Sequence, residues 1–251
     1  NNMIVESHSE KEQFLDYWDN ESSIVIPIWE DLERHPMTCD VSFLYVAFQN
    51  LHFVIPYKHN DCEPIDIDLS KSTQTKWVWN KKALLQTDLG IQNQKDIQTS
   101  LFFNHNRLYP YDDKIEVLTN FYTRLGVKDN LGKSIPIMRF IEVLEGIVDD
   151  FGELTPTFGW VDDTMIPILS DIERLGIQVD REKFLDRWKD NKKSLWFSRT
   201  FTEYNPYTIT SRPSNRHLGI NYSALNKKDG SREIFIPQKG KSFVQFDYDA
   251  Y

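Results

Sequence analysis

Residues 24–57, IVIPIWEDLERHPMTCDVSFLYVAFQNLHFVIPY, decide the fold of the first part of this chain. Three apolar runs rich in β-branched and aromatic residues lie in this stretch, at 24–29, 41–48 and 52–57. Runs of this kind predict strands, and the connection between the second and third runs is short enough for a hairpin. We therefore expect a sheet of successive strands in this region.

Helical patterns flank these strands. Residues 9–12, Ser-Glu-Lys-Glu, have the form of a capping box, which predicts a short helix that directs Phe14 and Trp18 inward. Residues 80–90 and 113–126 also follow a helical pattern, and each pattern ends at a glycine. Strands followed by helices predict an α/β domain in which the helices pack on a mixed sheet.

Composition narrows the class of protein. The chain has 251 residues, of which 40% are hydrophobic and 27% charged, as in soluble globular proteins. It has no apolar run of membrane-spanning length, no signal-peptide pattern and only two cysteines, so we expect a cytoplasmic protein without a membrane partner. The net charge of −9 argues against a surface that coats nucleic acid, but lysine and arginine clusters in residues 181–241 leave room for a local basic groove.

A second domain is expected after a linker. Residues 150–159, DFGELTPTFG, are rich in Gly, Pro and Thr, which predicts two domains, residues 1–152 and 153–251. The helical pattern that follows ends at Gly176, and Asp180 has the position of an N-cap for another short helix. The first of these two helices is expected to have one apolar face, formed by Ile168, Leu169, Ile172 and Leu175.

Three stretches, in order, resemble segments of family A DNA polymerases. MIPILSDIERLGIQVDREKF (165–184) resembles the first thumb helix, and YTITSRPSN (207–215) is similar to the T-x-T-G-R-[LP]-S segment. FVQFDYDAY (243–251) resembles motif A of the palm, in the form found in phage-type members. The resemblance implies the N-terminal part of a DNA-directed DNA polymerase of phage-type replication, truncated within a buried palm strand that ends at residue 247.

The resemblance also assigns roles to residues. Asp247 is implied to bind catalytic Mg²⁺ with the main-chain carbonyl of Tyr248, because phosphoryl transfer uses divalent ions held by oxygen ligands. Arg212 matches the arginine that contacts the primer–template backbone, although Ser211 replaces the glycine of that motif. The other residues implied to bind DNA are Thr210, Ser214, Asn215, Asn221, Asn226, Lys227, Lys228 and Arg232.

Two of these assignments have alternatives. Residues 226–230, NKKDG, have the form of a surface turn, and contact with phosphate is the second interpretation. Arg212 is either a surface cation or, given its Thr, Ser and Asn neighbours, a contact to backbone phosphate.

In the same family the domain before the thumb is a 3′–5′ exonuclease of ribonuclease H-like fold. Asn80 and Asp96 match two of its motifs, but Pro27, Trp29 and Leu84 stand where the metal-binding carboxylates are expected. A different strand register would place the pair Asp31 and Glu33 there, without restoring an acid at position 84, and a late ligand is available in Asp149 or Asp150. A lone carboxylate cannot hold two ions, so we expect an inactive domain.

The predicted thumb is short, with room for little more than one helix and a strand between Asp180 and Thr208. This implies that a replication partner helps to hold primer–template DNA while the complete enzyme incorporates dNTP. Three hypotheses follow: part of a polymerase, a catalytically inactive exonuclease-like module that binds DNA or a partner protein, and an active 3′–5′ exonuclease.

Overall fold

The computed structural model describes residues 2–30, 40–59, 63–107, 111–116, 126–129, 134–210, 212–216 and 219–246. The chain divides into two compact units, Asn1–Asp171 and Ile172–Tyr251. The strands of the first unit are β1 (Asn2–Ile4), β2 (Ser23–Trp29), β3 (Val41–Ala47), β4 (His52–Pro56), β5 (Lys76–Val78), β6 (Gln94–Asp96), β7 (Tyr111–Glu116), β8 (Gly126–Asp129) and β9 (Ser134–Pro136). Its helices are α1 (His8–Asn20), α2 (Lys81–Leu84), α3 (Ile97–Phe103), α4 (Ile137–Asp149) and α5 (Pro156–Trp160), the last continuing into a π-helical turn at Val161–Met165.

A six-stranded mixed sheet organises the first unit, in the order β1-β4-β3-β2-β5-β6. Strand β3 is antiparallel to both β2 and β4, whereas β2, β5 and β6 are mutually parallel, and β1 runs parallel to β4. The three strands and the hairpin expected between residues 24 and 57 are therefore confirmed. Strands β7, β8 and β9 form a separate antiparallel sheet.

The large sheet is covered on both faces. Every residue of β2 and β3 is buried, which explains why these strands are almost continuously apolar. Phe14 and Trp18 of α1 belong to the core cluster on one face, together with Val25. Phe140 of α4 belongs to the cluster on the other face, and its ring centroid lies 5.2 Å from that of Trp79.

Two local predictions for this unit are wrong. The capping box of α1 is formed by Ser7 and Glu10, two residues before the predicted one, since the Ser7 hydroxyl accepts from the Glu10 amide. The predicted helix at 113–126 is a strand as far as it is described: 113–116 belong to β7, which pairs with β8. An apolar run that can pair with a neighbouring strand satisfies its backbone groups in that way, whatever its helical spacing.

The two compact units divide at Asp171, whereas the sequence predicts a domain boundary at residue 152. Helix α5 and the π-helical turn pack on the first unit through α3, and the Ser170 hydroxyl donates to the carbonyl of Lys82. Gly152 and Pro156 thus mark a bend inside the first unit, where Pro156 is the first residue of α5.

The second unit consists of short elements. They are the end of α6 (Ile166–Leu175), β10 (Ile177–Gln178), α7 (Arg181–Arg187), β11 (Leu195–Trp196), β12 (Arg199–Thr200), β13 (Glu203–Asn205) and β14 (Ser214–Arg216), with 3₁₀ turns at Lys189–Ser194, Tyr222–Ala224 and Ser231–Ile234. As predicted, Asp180 caps α7 by accepting from the Lys183 amide, and α7 is the one α-helix between Asp180 and Thr208. No helix in the described ranges is both long and apolar enough to cross a bilayer.

Two predictions for the later residues are corrected. On α6 only Leu169 of the four predicted core residues is buried, because the inward face consists of Ile166, Leu169, Ser170 and Glu173. The predicted palm strand is absent as far as residue 246: residues 241–246 form no strand, and Phe243, Val244 and Phe246 are exposed. None of the described residues offers these positions the ladder of hydrogen bonds that a strand requires.

Candidate functional site

The edge of the sheet where β2 and β5 end is the place expected for exonuclease metal ligands. The two strands run side by side, and the Trp79 amide extends their pairing by donating to the Val25 carbonyl at 2.9 Å. Pro27 and Trp29 come from β2 and Leu84 from α2, which follows β5. All three side chains are buried, and Pro27 is paired with Leu44 of β3. These positions therefore serve packing.

Carboxylates are not gathered at this edge within the described residues. No group of three or more His, Cys, Asp or Glu side chains in the described ranges could hold a metal ion. Asp149 and Asp150, at the end of α4, are exposed. The alternative pair Asp31 and Glu33 lies outside the described residues. The donor set that is present does not fit a two-ion site, because divalent ions of this type need several oxygen ligands.

The two residues that match exonuclease motifs cap helices. Asn80 has a left-handed backbone, with φ of 63°, and its side-chain oxygen accepts from the Ala83 amide at the start of α2. Asp96 precedes α3 and accepts from the amide and the hydroxyl of Thr99 at 3.3 and 2.6 Å. Its other oxygen accepts from the Lys81 amide at 3.2 Å. Asn80 therefore caps α2, and Asp96 ties the start of α2 to the start of α3.

A buried ion pair, which the sequence analysis did not find, joins this region to the π-helical turn. The Lys81 ammonium lies 2.9 Å from the Asp162 carboxylate and also donates to the Asp162 carbonyl at 2.8 Å. The second carboxylate oxygen of Asp162 accepts from the Asp96 amide at 3.0 Å. At the exposed end of the cluster, Lys95 donates to Asp163 at 3.1 Å.

Electrostatics in this cluster are governed by burial. The Asp162 side chain is completely buried, and this desolvation raises its pKa to about 6, helped by the nearby charge of Asp96 and opposed by Lys81. Both oxygens of Asp96 and both of Asp162 accept hydrogen bonds from protein donors. The buried carboxylates are thus fully hydrogen-bonded within the protein, and they fix the turn against α2 and β6. They are not arranged to receive a metal ion.

In the second unit, two of the predicted DNA-binding residues line a common groove. Asn221 and Asn226 border a groove of about 350 Å³ together with Arg187 and Trp188, which the sequence analysis did not single out. The Arg187 guanidinium is ion-paired with Asp229 and lies 5.7 Å from the centre of the Trp188 ring. The groove is therefore mostly polar, with one indole in its wall.

Other predicted residues are distributed over the surface of this unit. Arg212 and Thr210 are exposed, and the carbonyl of Arg212 accepts from the Thr208 hydroxyl at 2.7 Å. Ser214 and Asn215 lie on β14, where the Asn215 side chain accepts from the Tyr222 amide at 3.1 Å.

The loop at residues 226–230 is a surface turn. The Asn226 side chain accepts from the Lys228 amide at 2.9 Å, which closes an Asx turn and leaves the side chains of Lys227 and Lys228 exposed. Arg232 is also exposed, so the turn geometry and a contact with phosphate are compatible.

The predicted magnesium ligands, Asp247 and Tyr248, lie outside the described residues, as does Ser211. Their assignment remains an expectation from the resemblance.

The strand order of the first unit decides its fold. On one side of the central strand β2 lies β3, antiparallel to it, followed by β4, antiparallel to β3; on the other side lie β5 and β6, both parallel to β2. This is the mixed sheet implied by the resemblance. The first unit has a ribonuclease H-like fold. The expected fold class is therefore confirmed, although the carboxylates expected on β2 and α2 are replaced by apolar residues.

Comparisons with known proteins agree on fold only. No family model and no curated protein matches the chain. Brucella melitensis NrnC, whose structure contains Mg²⁺, has 12% identity and a TM-score of 0.40 over 70% of this chain and 94% of its own. Escherichia coli RNase D, an exoribonuclease involved in structured RNA processing, has 9% identity and a TM-score of 0.43 over 77% and 55%. The catalytic core of RRP6 from Trypanosoma brucei has 12% identity and a TM-score of 0.41 over 78% and 59%.

At these TM-scores the fold assignment rests on strand order and direction rather than on the three structures. No matching family model or curated protein tests the polymerase assignment, which stays a proposal. Magnesium is present in the Brucella structure, whereas the described residues of this chain provide no cluster of ligands for it.

Proposed function

We propose that this chain is a nucleic-acid-binding protein whose exonuclease-type domain does not hydrolyse phosphodiester bonds. The observation that carries the proposal is the burial of Pro27, Trp29 and Leu84 at the positions where an active domain has carboxylates. Hydrolysis by two metal ions needs oxygen ligands that fix both ions and offset negative charge in the transition state. Two apolar side chains and a proline provide neither.

The second unit supplies the chemistry for binding. Arg212, Lys227, Lys228 and Arg232 are exposed, and exposed cations of this kind bind backbone phosphates by displacing counterions. Asparagine side chains at the groove offer both donors and acceptors to phosphate, sugar or base. DNA is the proposed ligand, in keeping with the resemblance of residues 207–215 to a polymerase segment that contacts primer–template.

A degradation assay tests the absence of hydrolysis. The protein is incubated with 5′-labelled single-stranded DNA or RNA and magnesium, next to a known 3′–5′ exonuclease as positive control. We expect no 3′ shortening of either strand, and we expect retarded migration of the DNA in a parallel binding assay at low salt. Magnesium-dependent shortening that is lost in Asp31→Ala or Glu33→Ala would show that the shifted register is correct and that the domain is an active exonuclease.

A second candidate function is part of a family A DNA polymerase. It is favoured by the three motifs in order and by the local structure of the first one, where α6 ends at Leu175, Gly176 and β10 follow, and Asp180 caps α7. Under this proposal the complete polypeptide uses primer–template DNA and dNTP, Asp247 and Tyr248 hold Mg²⁺, and a replication partner compensates for the short thumb.

A further inference from the structure

The turn between β11 and β12 carries two exposed aromatic side chains. Leu195 pairs with Thr200 and Trp196 with Arg199, so Phe197 and Ser198 form the tip of a tight hairpin. The Phe197 side chain is 79% exposed and that of Trp196 is 38% exposed, and their ring centroids lie 5.9 Å apart. A large apolar ring that is mostly in water at a hairpin tip contributes little buried area to the unit that contains it.

The backbone at this tip is unusual. Phe197 has φ of 53°, in the left-handed region that a two-residue hairpin turn normally fills with Gly, Asn or Asp. Neighbouring groups hold the conformation: the Arg181 guanidinium donates to the Phe197 carbonyl, and the Val179 amide donates to the Ser198 carbonyl at 2.8 Å. The aromatic ring is therefore presented outward on a fixed support, at a cost in backbone strain.

The same support is anchored to the end of α6. The guanidinium of Arg199 donates to the carbonyls of Leu175 and Gly176 at 2.7 and 2.9 Å. Arg181 thus holds the tip through the Phe197 carbonyl, and Arg199 holds the β12 arm to the end of α6, so a ligand that contacts the tip meets a preorganised surface.

The segment that contains the tip has an excess of positive charge. Residues 181–200 contain seven lysines and arginines against three acidic residues, in a chain whose net charge is −9. Lys189, Lys192 and Lys193 are exposed and lie in the 3₁₀ turn that leads directly into β11. Exposed aromatic rings next to a row of cations are typical of proteins that bind single-stranded nucleic acids, because the bases stack on the rings and the phosphates contact the cations.

We propose that Trp196 and Phe197 stack on an unpaired base of a single-stranded nucleic acid whose phosphates lie against Lys189, Lys192 and Lys193. The inference rests on the proposed nucleic-acid-binding function and adds the position and the form of the ligand. Charge complementarity favours this occupant over a second copy of the chain that docks through the same segment, since that copy would bring the same excess of cations to the tip.

Fluorescence anisotropy with the full chain tests the proposal, using a labelled oligothymidylate and a mixed-sequence duplex of the same length. The decisive variant is Phe197→Gly, because glycine accepts the positive φ and the backbone is kept. We expect its Kd for the single strand to rise about tenfold, as for the loss of one stacked base, with little change for the duplex. Phe197→Tyr keeps the ring and should retain binding. Trp160→Ala removes an exposed aromatic from α5 and is the matched control, with no change expected.

The outcomes separate this inference from the proposed function. If the wild-type chain binds neither oligonucleotide at low salt, the proposed function is wrong. If it binds and Phe197→Gly binds equally well with an unchanged unfolding temperature, the stacking tip is wrong and the proposed function stands. If Phe197→Gly leaves binding unchanged but abolishes a dimer seen by sedimentation, a second copy covers the tip and the inference is overturned.

Discussion

At the scale of single residues, the buried pair of Lys81 and Asp162 is the feature of the first unit with the largest desolvation cost. Both side chains are almost completely removed from water, so each charge depends on the other and on hydrogen bonds to the backbone. Such a pair contributes little net stability compared with an apolar pair, but removing one partner leaves an uncompensated charge inside the protein. It therefore fixes the π-helical turn in one position rather than adding stability.

Lys81→Met tests this reasoning. Because the variant leaves Asp162 buried without its cation, we expect a loss of roughly 3–5 kcal/mol in the free energy of unfolding at pH 7.5, measured by urea denaturation. The folded-state pKa of Asp162 is about 6, above its value of about 3.9 in an unfolded chain, so the folded state takes up the proton first and stability falls as pH rises between these values. Without Lys81 that pKa rises further, and the variant should regain part of its stability near pH 5.

Lys95→Met is the control, since Lys95 belongs to the same cluster but pairs mainly with the exposed Asp163. We expect it to cost less than about 1 kcal/mol at any of these pH values. Equal losses for the two variants, or a loss in Lys81→Met that does not change with pH, would contradict the assignment of Asp162 as the buried charge.

Sequence reasoning identified some of these residues but not their roles. Asn80 and Asp96 stood out through the resemblance, and the structure gives both of them capping roles at α2 and α3. The pairing of Lys81 with Asp162 spans 81 positions and leaves no periodic pattern, so no local signal reveals it. Apolar residues in place of catalytic acids were, in contrast, readable from the sequence, because a strand as apolar as β2 has no room for buried charge.

At the scale of elements, the sequence predicts strands better than helix faces. The apolar runs that form β2, β3 and β4 are consistent only with buried strands. Helix α6, in contrast, has apolar residues on two faces, and either face could be the buried one. Ile168, Ile172 and Leu175 are as apolar as Ile166 and Leu169, yet the first three are exposed. Which stripe is buried depends on the partners of the helix, such as the Tyr204 amide that donates to Glu173, and those partners are distant in sequence.

Substitution of Gly176, which follows the last residue of α6, tests how closely the chain packs against β12 at this point. Its φ is 58°, and a Cβ added there would lie 2.7 Å from the Phe201 ring and 2.8 Å from the Thr200 carbonyl oxygen. Because the carbonyl belongs to β12 and cannot move cheaply, Gly176→Ala should lower the free energy of unfolding by roughly 3 kcal/mol or more. Gly230 has φ of 76° with no atom within 4 Å of an added Cβ, so Gly230→Ala should cost only the conformational strain, about 1–2 kcal/mol. Similar losses for the two variants in urea denaturation would contradict the proposed clash.

At the scale of the whole molecule, the two units were predicted with unequal success. The ribonuclease H-like sheet could be predicted because its strands are long apolar runs, and because the hairpin fixes the pairing of β3 with β4. The division between units at Asp171 differs from the predicted domain boundary at residue 152. Gly and Pro at 150–159 mark a bend, and only the packing of α5 shows to which unit the next residues belong. The described residues of the second unit include few buried apolar side chains, and its elements are short, so its structure depends on loops such as the Asx turn at Asn226 that carry little periodic signal.

The polymerase proposal makes its own prediction for a polypeptide that includes the rest of a palm. Asp247→Ala should abolish nucleotide incorporation while leaving primer–template binding largely intact, because a metal ligand acts on charge in the transition state and DNA is held through phosphates. Arg212→Ala should have the opposite signature, since its exposed side chain is expected to contact backbone phosphate: weaker binding, and a slope of log K against log salt that is smaller by about one unit.

Primer extension and binding across a salt series, measured on both variants, separate the two roles. Lys239→Ala is the control for loss of an exposed cation, because Lys239 lies in the same unit outside the predicted contacts and should leave extension and the salt slope unchanged. If the Asp247→Ala variant extends primers at a rate near that of the unmodified polypeptide, the motif A assignment is wrong. An unchanged salt slope in Arg212→Ala would make Arg212 a surface cation, the alternative that its sequence context left open, and would leave the assignment of Asp247 to be decided by extension alone.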